Sequence, residues 1–339
     1  MSFQVTLKPS DRQFETDSDT TVLQSALDAE LILPYGCRDG ACGSCKAKVV
    51  SGEIDHGKSP LTTLPESERE AGVALLCCAH ARSDLTIECR DVRSAHDIPL
   101  RKLPCRVQTI ARPADDVIVA TLKLPANDAF HFYAGQYIDF LLADGKRRSF
   151  SIANAPHTAE ALEVHIRRVP GGHFTEHVFS NMKERDIMRF EGPLGGFYLR
   201  DSDKPIVFLA GGTGFAPIKS IVEDMIHTGN KRPAVLYWGS RDRAGLYQHE
   251  VAEQWMEALP NFRYIPVISD EVPDGWDGRT GFAHRAAMDD IADLSGHQVY
   301  ACGSPAMIDA ARRDFETERG LPDGEFFADA FTFAADNNS

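Results

Sequence analysis

The pattern of apolar and polar positions divides the chain into three segments, and the first predicts a small mixed domain. Within residues 1–92, the alternating runs F-Q-V-T-L and R-Q-F-E-T flank a K-P-S-D turn, and T-V-L-Q-S-A-L-D-A-E has a helical period. The runs C-K-A-K-V-V-S-G-E-I and D-L-T-I-E-C alternate again later in the segment. A hairpin, a helix and returning strands therefore predict an α+β domain of the β-grasp type.

The rest of the chain predicts a linker, a barrel and a parallel sheet. Residues 93–104 are polar and contain Pro99 and Pro104, which is typical of a linker. Residues 105–200 hold closely spaced strands such as G-Q-Y-I-D-F-L-L, which favour an antiparallel β-barrel. Residues 204–333 contain the apolar runs P-I-V-F-L-A, P-A-V-L-Y-W and Q-V-Y-A-C, each followed by a helical stretch. Such runs predict an α/β domain with a parallel sheet covered on both faces.

Four cysteines carry the strongest chemical signal. Cys37, Cys42 and Cys45 lie in the stretch Y-G-C-R-D-G-A-C-G-S-C-K, and Cys77 follows after 31 intervening residues. The spacing C-x4-C-x2-C with a distant fourth cysteine is that of a plant-type ferredoxin, which holds a 2Fe-2S cluster. Glycines between these cysteines allow the backbone to curl around a cluster. The first segment is therefore predicted to carry electrons.

Other uses of the cysteines fit the spacing less well. A structural zinc site usually takes two close C-x2-C-type pairs, which the x4 gap and the lone distant cysteine do not provide. Disulfides are disfavoured because the N-terminal residues have the pattern of a polar strand rather than an apolar leader, so we expect a reducing, cytoplasmic location. Cys78 adjoins Cys77 and competes for the fourth ligand position; the strand context L-L-C-C-A-H favours Cys77.

The third segment contains the motifs expected of a dinucleotide site. After I-V-F-L-A comes G-G-T-G-F-A-P, whose Gly212, Thr213 and Gly214 open a helix, so a phosphate could approach the backbone there. The spacing is not G-x-G-x-x-G, and the prediction depends on the strand–loop–helix context. Two further strand ends are candidates: Cys302 with Gly303, and Ser240 with Arg241, which would face an adenosine ribose.

An arginine near that ribose could pair with a 2′-phosphate, and Arg241 and Arg243 are both placed for it. A solvated surface charge explains the same arginines equally well. The choice between NADH and NADPH therefore stays open.

The barrel segment contains R-R-S-F-S-I-A-N, which offers Arg148, Phe150 and Ser151 from one strand. Alternation sends Arg148 and Phe150 to one face and Ser151 to the other, so a shared ligand requires a twisted or irregular strand end. The tetrapeptide R-x-F-S is common and by itself indicates little. The following G-G-H-F-T could start a helix and hold a pyrophosphate through Gly172 and Thr175.

Charge and hydropathy limit the partners. The formal net charge of −14 argues against binding to nucleic acid or to an anionic membrane. No apolar run is long enough to span a bilayer. An acidic surface can instead steer a docking protein that has a basic face.

These motifs resemble two known families. Y-G-C-R-D-G-A-C-G-S-C resembles the cluster loop of plant-type ferredoxins, and R-S-F-S, G-G-x-F-T, A-G-G-T-G-F-A-P and Y-A-C-G-S-P-A-M resemble the ferredoxin-NADP reductase superfamily. The resemblance covers nearly the whole chain, in the domain order of oxygenase reductase components. G-Q-Y-I-D-F, R-R-S-F-S-I-A-N-A-P and F-F-A-D-A-F look most like the bacterial CDP-6-deoxy-3,4-glucoseen reductase group, which uses FAD.

The resemblance implies a role for particular residues. Arg148 would bind the flavin pyrophosphate together with Gly172 and Thr175, Phe150 would lie against the flavin, and Ser151 would lie near its N5 atom. The other implied roles are the nicotinamide dinucleotide for Gly212, Thr213 and Gly214, the nicotinamide ring for Cys302, and closure of the flavin face for Asp329 and Phe331. Members of the superfamily often carry Tyr in place of Phe150 and Phe331, so stacking is retained here and a hydroxyl hydrogen bond is lost. The residues expected to act in catalysis are Ser151, Cys302 and Asp329.

The implied electron path runs from NAD(P)H through FAD and the 2Fe-2S cluster to a separate protein. Nicotinamide gives two electrons as a hydride and the cluster accepts one, so a flavin must stand between them. The cluster edge near Arg38, Asp39 and Ala41 is the expected docking place. The acceptor is expected to be a pyridoxamine-phosphate-dependent dehydrase acting on a CDP-linked deoxysugar; an oxygenase component is the alternative.

Overall fold

The computed structural model describes residues 2–89, 92–94, 98–126 and 129–331. These residues form two compact units. The first contains residues Met1–Pro99 together with Gly195–Phe197 and Ala328–Ala330, and the second contains the remainder. Within the described ranges, none of the helices combines the length and the apolar character needed to cross a membrane.

The first unit is built on a five-stranded sheet with the order β2-β1-β8-β4-β6. Its strands are β1 (Ser2–Lys8), β2 (Arg12–Asp17), β3 (Leu31–Ile32), β4 (Lys46–Ser51), β5 (Ile54–Asp55), β6 (Val73–Leu75), β7 (His80–Ala81), β8 (Leu85–Glu88) and β9 (Arg93–Ser94). Its helices are α1 (Val22–Asp28) and α2 (Glu66–Glu70). Alternation explains the sheet, because Val5 and Leu7 of β1 are fully buried while their neighbours are not. The predicted β-grasp hairpin, helix and returning strands are confirmed.

The second unit begins with a six-stranded sheet of order β13-β12-β15-β10-β11-β14. Its elements are β10 (Arg101–Ala114), β11 (Val117–Lys123), β12 (Tyr137–Leu141), β13 (Arg147–Ser151), β14 (Ala161–Arg167), α3 (His173–Ser180) and β15 (Ile187–Leu194). All its strand pairs are antiparallel, and a bridge between Ile152 and Val164 links the two outermost strands. The sheet therefore closes into the predicted barrel, and its interior is filled by side chains such as Phe140 and Phe190.

The predicted linker, residues 93–104, overlaps regular structure at both ends. Residues 93 and 94 form β9, and residues 101–104 belong to β10, where they pair with β15. Pro104 is tolerated there opposite Arg189. Residues 95–97 lie outside the described part of the chain.

The second unit continues with a sheet of order β19-β18-β17-β16-β20-β21. Its elements are β16 (Ile206–Gly211), α4 (Phe215–Thr228), β17 (Ala234–Asp242), α5 (His249–Ala258), β18 (Phe262–Glu271), β19 (Arg279–Thr280), α6 (Ala283–Asp290), β20 (Gln298–Gly303), α7 (Pro305–Glu318) and β21 (Phe326–Ala330), of which Ala328–Ala330 are counted with the first unit. The pairs that join β16, β17, β18, β19 and β20 are parallel, as predicted. The strand order reverses between β16 and β20, and a crevice at such a point is where ligands bind in open α/β sheets.

Candidate redox site

The cysteine loop between β3 and β4 has the backbone that a cluster requires. Arg38, Gly40 and Gly43 have φ values of +64°, +85° and +71°, so the loop turns repeatedly through the left-handed region. The amide of Cys42 donates to Sγ of Cys37 at 3.3 Å, and the amide of Cys37 donates to Sγ of Cys42 at 3.5 Å. Backbone N–H groups therefore point at the sulfurs, as the glycine-rich sequence predicts.

The four predicted ligands stand as two pairs. Cys37 and Cys42 form one pair through the hydrogen bonds above, and Sγ of Cys45 lies 3.1 Å from Sγ of Cys77. Among the described residues, no group of three His, Cys, Asp or Glu side chains is arranged to hold a single metal ion. A 2Fe-2S cluster needs two ligands on each of two irons, so paired cysteines suit it.

Cys78 lies on the other side of Cys77. Its sulfur is 3.7 Å from that of Cys77 and packs where a Cβ on Gly40 would be, at 2.9 Å. A hydrogen bond with Ser59 also involves the Cys78 thiol. This arrangement supports Cys77 as the fourth ligand, which stays a prediction.

Thiolate formation is favoured at Cys42. Hydrogen bonds from the Cys37 thiol, from Ser44 and from the backbone amides lower the pKa of Cys42 to about 6, although burial opposes the shift. The pKa of Cys37 is raised by the same hydrogen bond and by burial. Because the thiolate is the form that binds metal, Cys42 is the member of this pair that is prepared for ligation.

Asp329 belongs to the same compact unit as the cysteine loop. It is 5% exposed, and burial raises its pKa to about 8, with Cys42 and Asp39 adding to the shift. A Cβ on Gly36 would lie 3.0 Å from Oδ1 of Asp329 and 3.1 Å from Sγ of Cys42, so a larger residue there would press on both side chains. The structure thus places Asp329 beside the loop that carries the cluster ligands.

The barrel carries Arg148, Phe150 and Ser151 on β13. Arg148 and Phe150 are half-buried, and the Phe150 ring packs on Phe140 and Phe174 at centroid distances of 5.7 and 5.5 Å. Ser151 is buried, and its hydroxyl has no hydrogen-bond partner among the described residues. A buried hydroxyl without a partner is costly, and a polar ligand atom would satisfy it.

The G-G-H-F-T turn starts α3. Gly172 is its N-cap residue and makes no side-chain capping bond. The N-terminus of a helix favours an anion, because its first amides point outward along the helix axis. The Thr175 hydroxyl is hydrogen-bonded to the amide and the carbonyl of Val169, at 3.0 and 3.1 Å. The Thr175 hydroxyl therefore uses its proton to hold the turn together, so a phosphate at this turn would be bound by backbone amides.

The glycine loop after β16 lies directly against the end of β20. A Cβ on Gly214 would lie 2.0 Å from the carbonyl oxygen of Cys302, so no larger residue fits. Gly212 has a φ of +54°. Cys302 is fully buried, and the carbonyl of Gly303 accepts from the amide of Phe331 at 2.8 Å. The structure therefore brings Gly212, Gly214, Cys302, Gly303 and Phe331 together at the carboxyl edge of the sheet.

The arginines at the end of β17 differ in their surroundings. Arg241 is exposed, and Ser240 beside it is half-buried. The Arg243 guanidinium lies 3.3 Å from the Glu250 carboxylate and also donates to the carbonyl of Leu246. Arg241 is thus the arginine better placed to meet a ligand from solution.

Two polar residues near these sites, Arg167 and Lys219, were missed by the sequence analysis. Arg167 of β14 lies against the glycine loop, since a Cβ on Gly212 would be 2.7 Å from its Nη1 atom, and its Nε is 3.2 Å from Asp116. Lys219 is 6% exposed within the otherwise apolar buried face of α4. A lysine in the run F-A-P-I-K-S-I-V was the available signal, whereas nothing local marks Arg167.

Three family profiles match the chain, one for each domain. The 2Fe-2S iron-sulfur cluster binding domain matches residues 5–82, the oxidoreductase FAD-binding domain matches residues 104–198, and the oxidoreductase NAD-binding domain matches residues 208–313. Together with the site geometry, they define an iron–sulfur flavoprotein oxidoreductase that takes electrons from a nicotinamide nucleotide. The zinc alternative is thereby set aside.

Relatives that match along nearly their whole length show which family of iron–sulfur flavoproteins this chain belongs to. A CDP-6-deoxy-L-threo-D-glycero-4-hexulose-3-dehydrase reductase of Yersinia pseudotuberculosis is 43% identical over 331 residues, covering 98% of this chain and 99% of the relative. A phenol hydroxylase P5 protein of Acinetobacter pittii is 37% identical over 95% of both chains. The chain belongs to the family of 2Fe-2S flavoprotein electron-transfer reductases that includes these proteins.

A solved structure agrees over the same length. The crystal structure of an Amycolatopsis cytochrome P450 reductase superposes with a TM-score of 0.78 at 34% identity, covering 98% of this chain and 99% of that one. The fold of this chain therefore matches the fold of that reductase along nearly the whole length of both chains.

Proposed function

We propose that the chain delivers electrons from NAD(P)H to a dehydrase that acts on a CDP-linked deoxysugar and depends on pyridoxamine phosphate. The observation that carries this proposal is the 43% identity, over 98% of this chain, to a reductase named for such a hexulose dehydrase. The motifs R-R-S-F-S-I-A-N-A-P and F-F-A-D-A-F point to the same group. A reducing cytoplasm suits a protein whose cysteines must stay available as ligands.

Bound FAD would take two electrons at once and release them singly, which is the chemistry this chain needs between a hydride donor and a one-electron cluster. The residues proposed to hold it are Arg148, Phe150 and Ser151, with the amides of the turn that begins at Gly172. The unpartnered buried hydroxyl of Ser151 supports this assignment, because a flavin atom would satisfy it.

The nicotinamide nucleotide is assigned to the carboxyl edge of the second sheet. Gly212, Thr213 and Gly214 would meet its phosphates, Cys302 and Gly303 would lie by the nicotinamide, and Phe331 would border the same place. Ser240 and Arg241 would face the adenosine ribose. The position of the loop supports this assignment, because it follows β16 at the point where the strand order reverses between β16 and β20, and ligands bind in the crevice at such a point.

The acceptor is proposed to dock where the cysteine loop reaches the surface. Asp39 is exposed and Ala41 is half-exposed on the loop itself. The turn that follows residue 57 packs against the loop, since the Thr63 hydroxyl donates to the carbonyl of Ala41 at 3.4 Å, and it presents Leu61 at 60% exposure. An exposed leucine beside an acidic residue suits a partner face with an apolar centre and a basic rim.

An oxygenase component is the second candidate acceptor. The 37% identity to a phenol hydroxylase P5 protein over 95% of both chains favours it specifically. Relatives of the same three-domain type are therefore named for both kinds of system, and the higher identity, 43% against 37%, favours the dehydrase.

Electron delivery to purified acceptors tests the proposal. The chain, NADH or NADPH, and either a sugar dehydrase or an oxygenase component encoded nearby are mixed, and turnover of the acceptor is measured. We expect turnover with the dehydrase and little with the oxygenase component; the reverse result would replace the first acceptor by the second. Cytochrome c reduction, measured in parallel, shows whether the reductase itself is active.

Two cysteine variants test the order of the carriers in the electron path. Cys42→Ser should abolish delivery to one-electron acceptors while FAD is still reduced by hydride, because the cluster follows the flavin. Cys105→Ala, in the barrel interior, removes a buried cysteine without touching the cluster loop and should leave delivery intact. Equal loss of flavin reduction and of delivery in Cys42→Ser would contradict the order.

A further inference from the structure

A buried polar cluster joins the barrel to the nucleotide sheet within the second unit. The Lys219 cluster consists of Glu163 and His165 from β14, Lys219 and Glu223 from α4, and Tyr247 from the segment after β17. Glu163 and His165 are two residues apart on one strand face, and Lys219 and Glu223 are four apart on one helix face. Two elements of different domains therefore meet through polar atoms.

Hydrogen bonds connect all five side chains. Nδ1 of His165 lies 2.7 Å from the Tyr247 hydroxyl, and its Nε2 lies 2.9 Å from Oε1 of Glu163. Nζ of Lys219 is 3.1 Å from the same Glu163 oxygen and 2.8 Å from Oε1 of Glu223. The cluster is thus continuous from Tyr247 to Glu223.

The protonation pattern follows from these partners. His165 and Lys219 are 4% and 6% exposed. Burial holds the pKa of His165 below its ordinary value, whereas hydrogen bonds and the charge of Lys219 overcome burial and lower the pKa of Glu163 to about 2. A neutral imidazole beside an ionised carboxylate must donate from Nε2, so its Nδ1 accepts from Tyr247. Each hydrogen bond then has a fixed direction.

The helix end of the cluster reaches the glycine loop. Phe215 begins α4 directly after Gly214, and its ring stacks on Trp238 at 3.9 Å. Nε1 of Trp238 donates to the carbonyl of Gly212 at 3.0 Å. The Tyr247 ring packs edge-on against both Phe215 and Trp238. Movement of α4 would therefore carry the loop with it.

The barrel end of the cluster reaches the segment that follows Ser151, the last residue of β13. Nζ of Lys219 donates to the carbonyl of Ala153 at 3.3 Å, and the Ser220 hydroxyl donates to the carbonyl of Asn154 at 2.7 Å. Ala153 in turn is bonded through its amide to the carbonyl of Glu163 at 2.8 Å. The same helix turn thus holds the chain two residues beyond Ser151.

We propose that Lys219, Glu163, His165 and Tyr247 are positioning residues that fix the distance between the glycine loop and Ser151, and hence between hydride donor and acceptor. The inference depends on the proposed assignment of those two places to the nicotinamide nucleotide and the flavin. Apolar side chains would hold a strand and a helix together equally well, because a buried ion pair adds little net stability. Directed hydrogen bonds define a separation, and a misplacement of about 1 Å can slow a reaction about 100-fold.

Flavin reduction in two variants tests the inference. Lys219→Met removes the ammonium at similar length, and Tyr247→Phe removes one hydroxyl and keeps the ring. We expect the limiting rate of flavin reduction by saturating NADH or NADPH, measured anaerobically by stopped flow, to fall about 10-fold to 100-fold in Lys219→Met and several-fold in Tyr247→Phe. The charge-transfer band between nicotinamide and flavin should weaken in both, while FAD content and the 2Fe-2S spectrum stay as in the wild type.

The matched control is Lys204→Met. Lys204 lies 2.6 Å from Glu325 at the opposite, amino end of β16, so Lys204→Met also removes a lysine–glutamate ion pair, a more exposed one, far from the carboxyl edge. Its limiting rate should be unchanged. If Lys219→Met does not fold, Tyr247→Phe decides alone.

The inference is overturned if folded, FAD-containing variants keep the wild-type limiting rate and charge-transfer band, or if Lys204→Met slows as much as Lys219→Met. Failure of the proposed assignment looks different. If the nicotinamide nucleotide does not bind at the glycine loop, a substitution in that loop of an otherwise wild-type chain would leave the rate of flavin reduction by NADH or NADPH unchanged.

Discussion

Gly214→Ala is the substitution whose effect the structure defines most closely. The added Cβ would lie 2.0 Å from the carbonyl oxygen of Cys302 and 2.5 Å from its carbonyl carbon, whereas ordinary contacts begin at about 3.4 Å. The shortfall is roughly 1.4 Å, and both atoms belong to the backbone of the interior strand β20, which cannot rotate away. The glycine loop must therefore move by more than 1 Å.

The size of the effect follows from that displacement. Forcing an extra methyl into a packed place costs about 1–3 kcal/mol of stability. A displacement of about 1 Å between reacting groups costs about 100-fold in rate. We therefore expect a folded protein with a modestly lower melting temperature and a flavin reduction rate about two orders of magnitude below the wild type.

Stopped-flow reduction of the flavin by NADH or NADPH, with thermal unfolding and FAD content measured in parallel, provides the assay. Gly296→Ala is the matched control, since no atom lies within 4 Å of its added Cβ and its φ is not in the left-handed region. The control should behave as wild type. A Gly214→Ala protein with wild-type melting and wild-type flavin reduction would refute the reasoning.

Three further predictions follow from other parts of the molecule. Cys77→Ser should lose the visible and EPR signals of the cluster and Cys78→Ser should retain them, because Cys77 pairs with Cys45 at 3.1 Å; the opposite pattern would make Cys78 the ligand. Ser151→Ala should leave the stability of the apoprotein unchanged or raise it slightly, since a buried hydroxyl without a partner is costly. The same variant should slow flavin reduction about tenfold, a loss of roughly 1.4 kcal/mol; an unchanged rate would remove Ser151 from the flavin site. Burial holds the pKa of His165 below its ordinary value of 6.5. As the pH falls through 6.5, the imidazole is protonated in the unfolded chain before it is protonated in the folded protein, so the free energy of unfolding decreases. Denaturant unfolding between pH 7.5 and pH 5 should show a smaller decrease for His165→Gln than for the wild type, and equal decreases would contradict the buried neutral imidazole.

Local chemistry explains what the sequence predicted well. Three of the cysteines, Cys37, Cys42 and Cys45, lie within a stretch of nine residues, so the cluster loop can be inferred without knowing any long-range contact. The glycine loop around Gly212 was found in the same way, from a strand, a turn and a helix that are contiguous. The three domain types followed from periodicity, because buried parallel strands and barrel strands have different patterns.

Long-range contacts explain what the sequence missed. Glu163 and His165 meet Lys219 across more than fifty residues, and no local pattern links a strand of the barrel to a helix of the nucleotide sheet. Arg167 looks like any solvated arginine until Gly212 is placed beside it. Asp329 was expected to close the flavin face; the structure groups it with the cysteine loop, and its flavin contact stays a prediction.

The central claim is that electrons reach the cluster only through the flavin. Rapid-freeze EPR after mixing with NADH or NADPH tests it most directly, with flavin absorbance followed on the same timescale. The account predicts that the signal of the reduced 2Fe-2S cluster appears after flavin reduction has begun, and that it is absent in FAD-depleted protein. A cluster signal that rises without a lag, or that forms at the same rate without FAD, would contradict it.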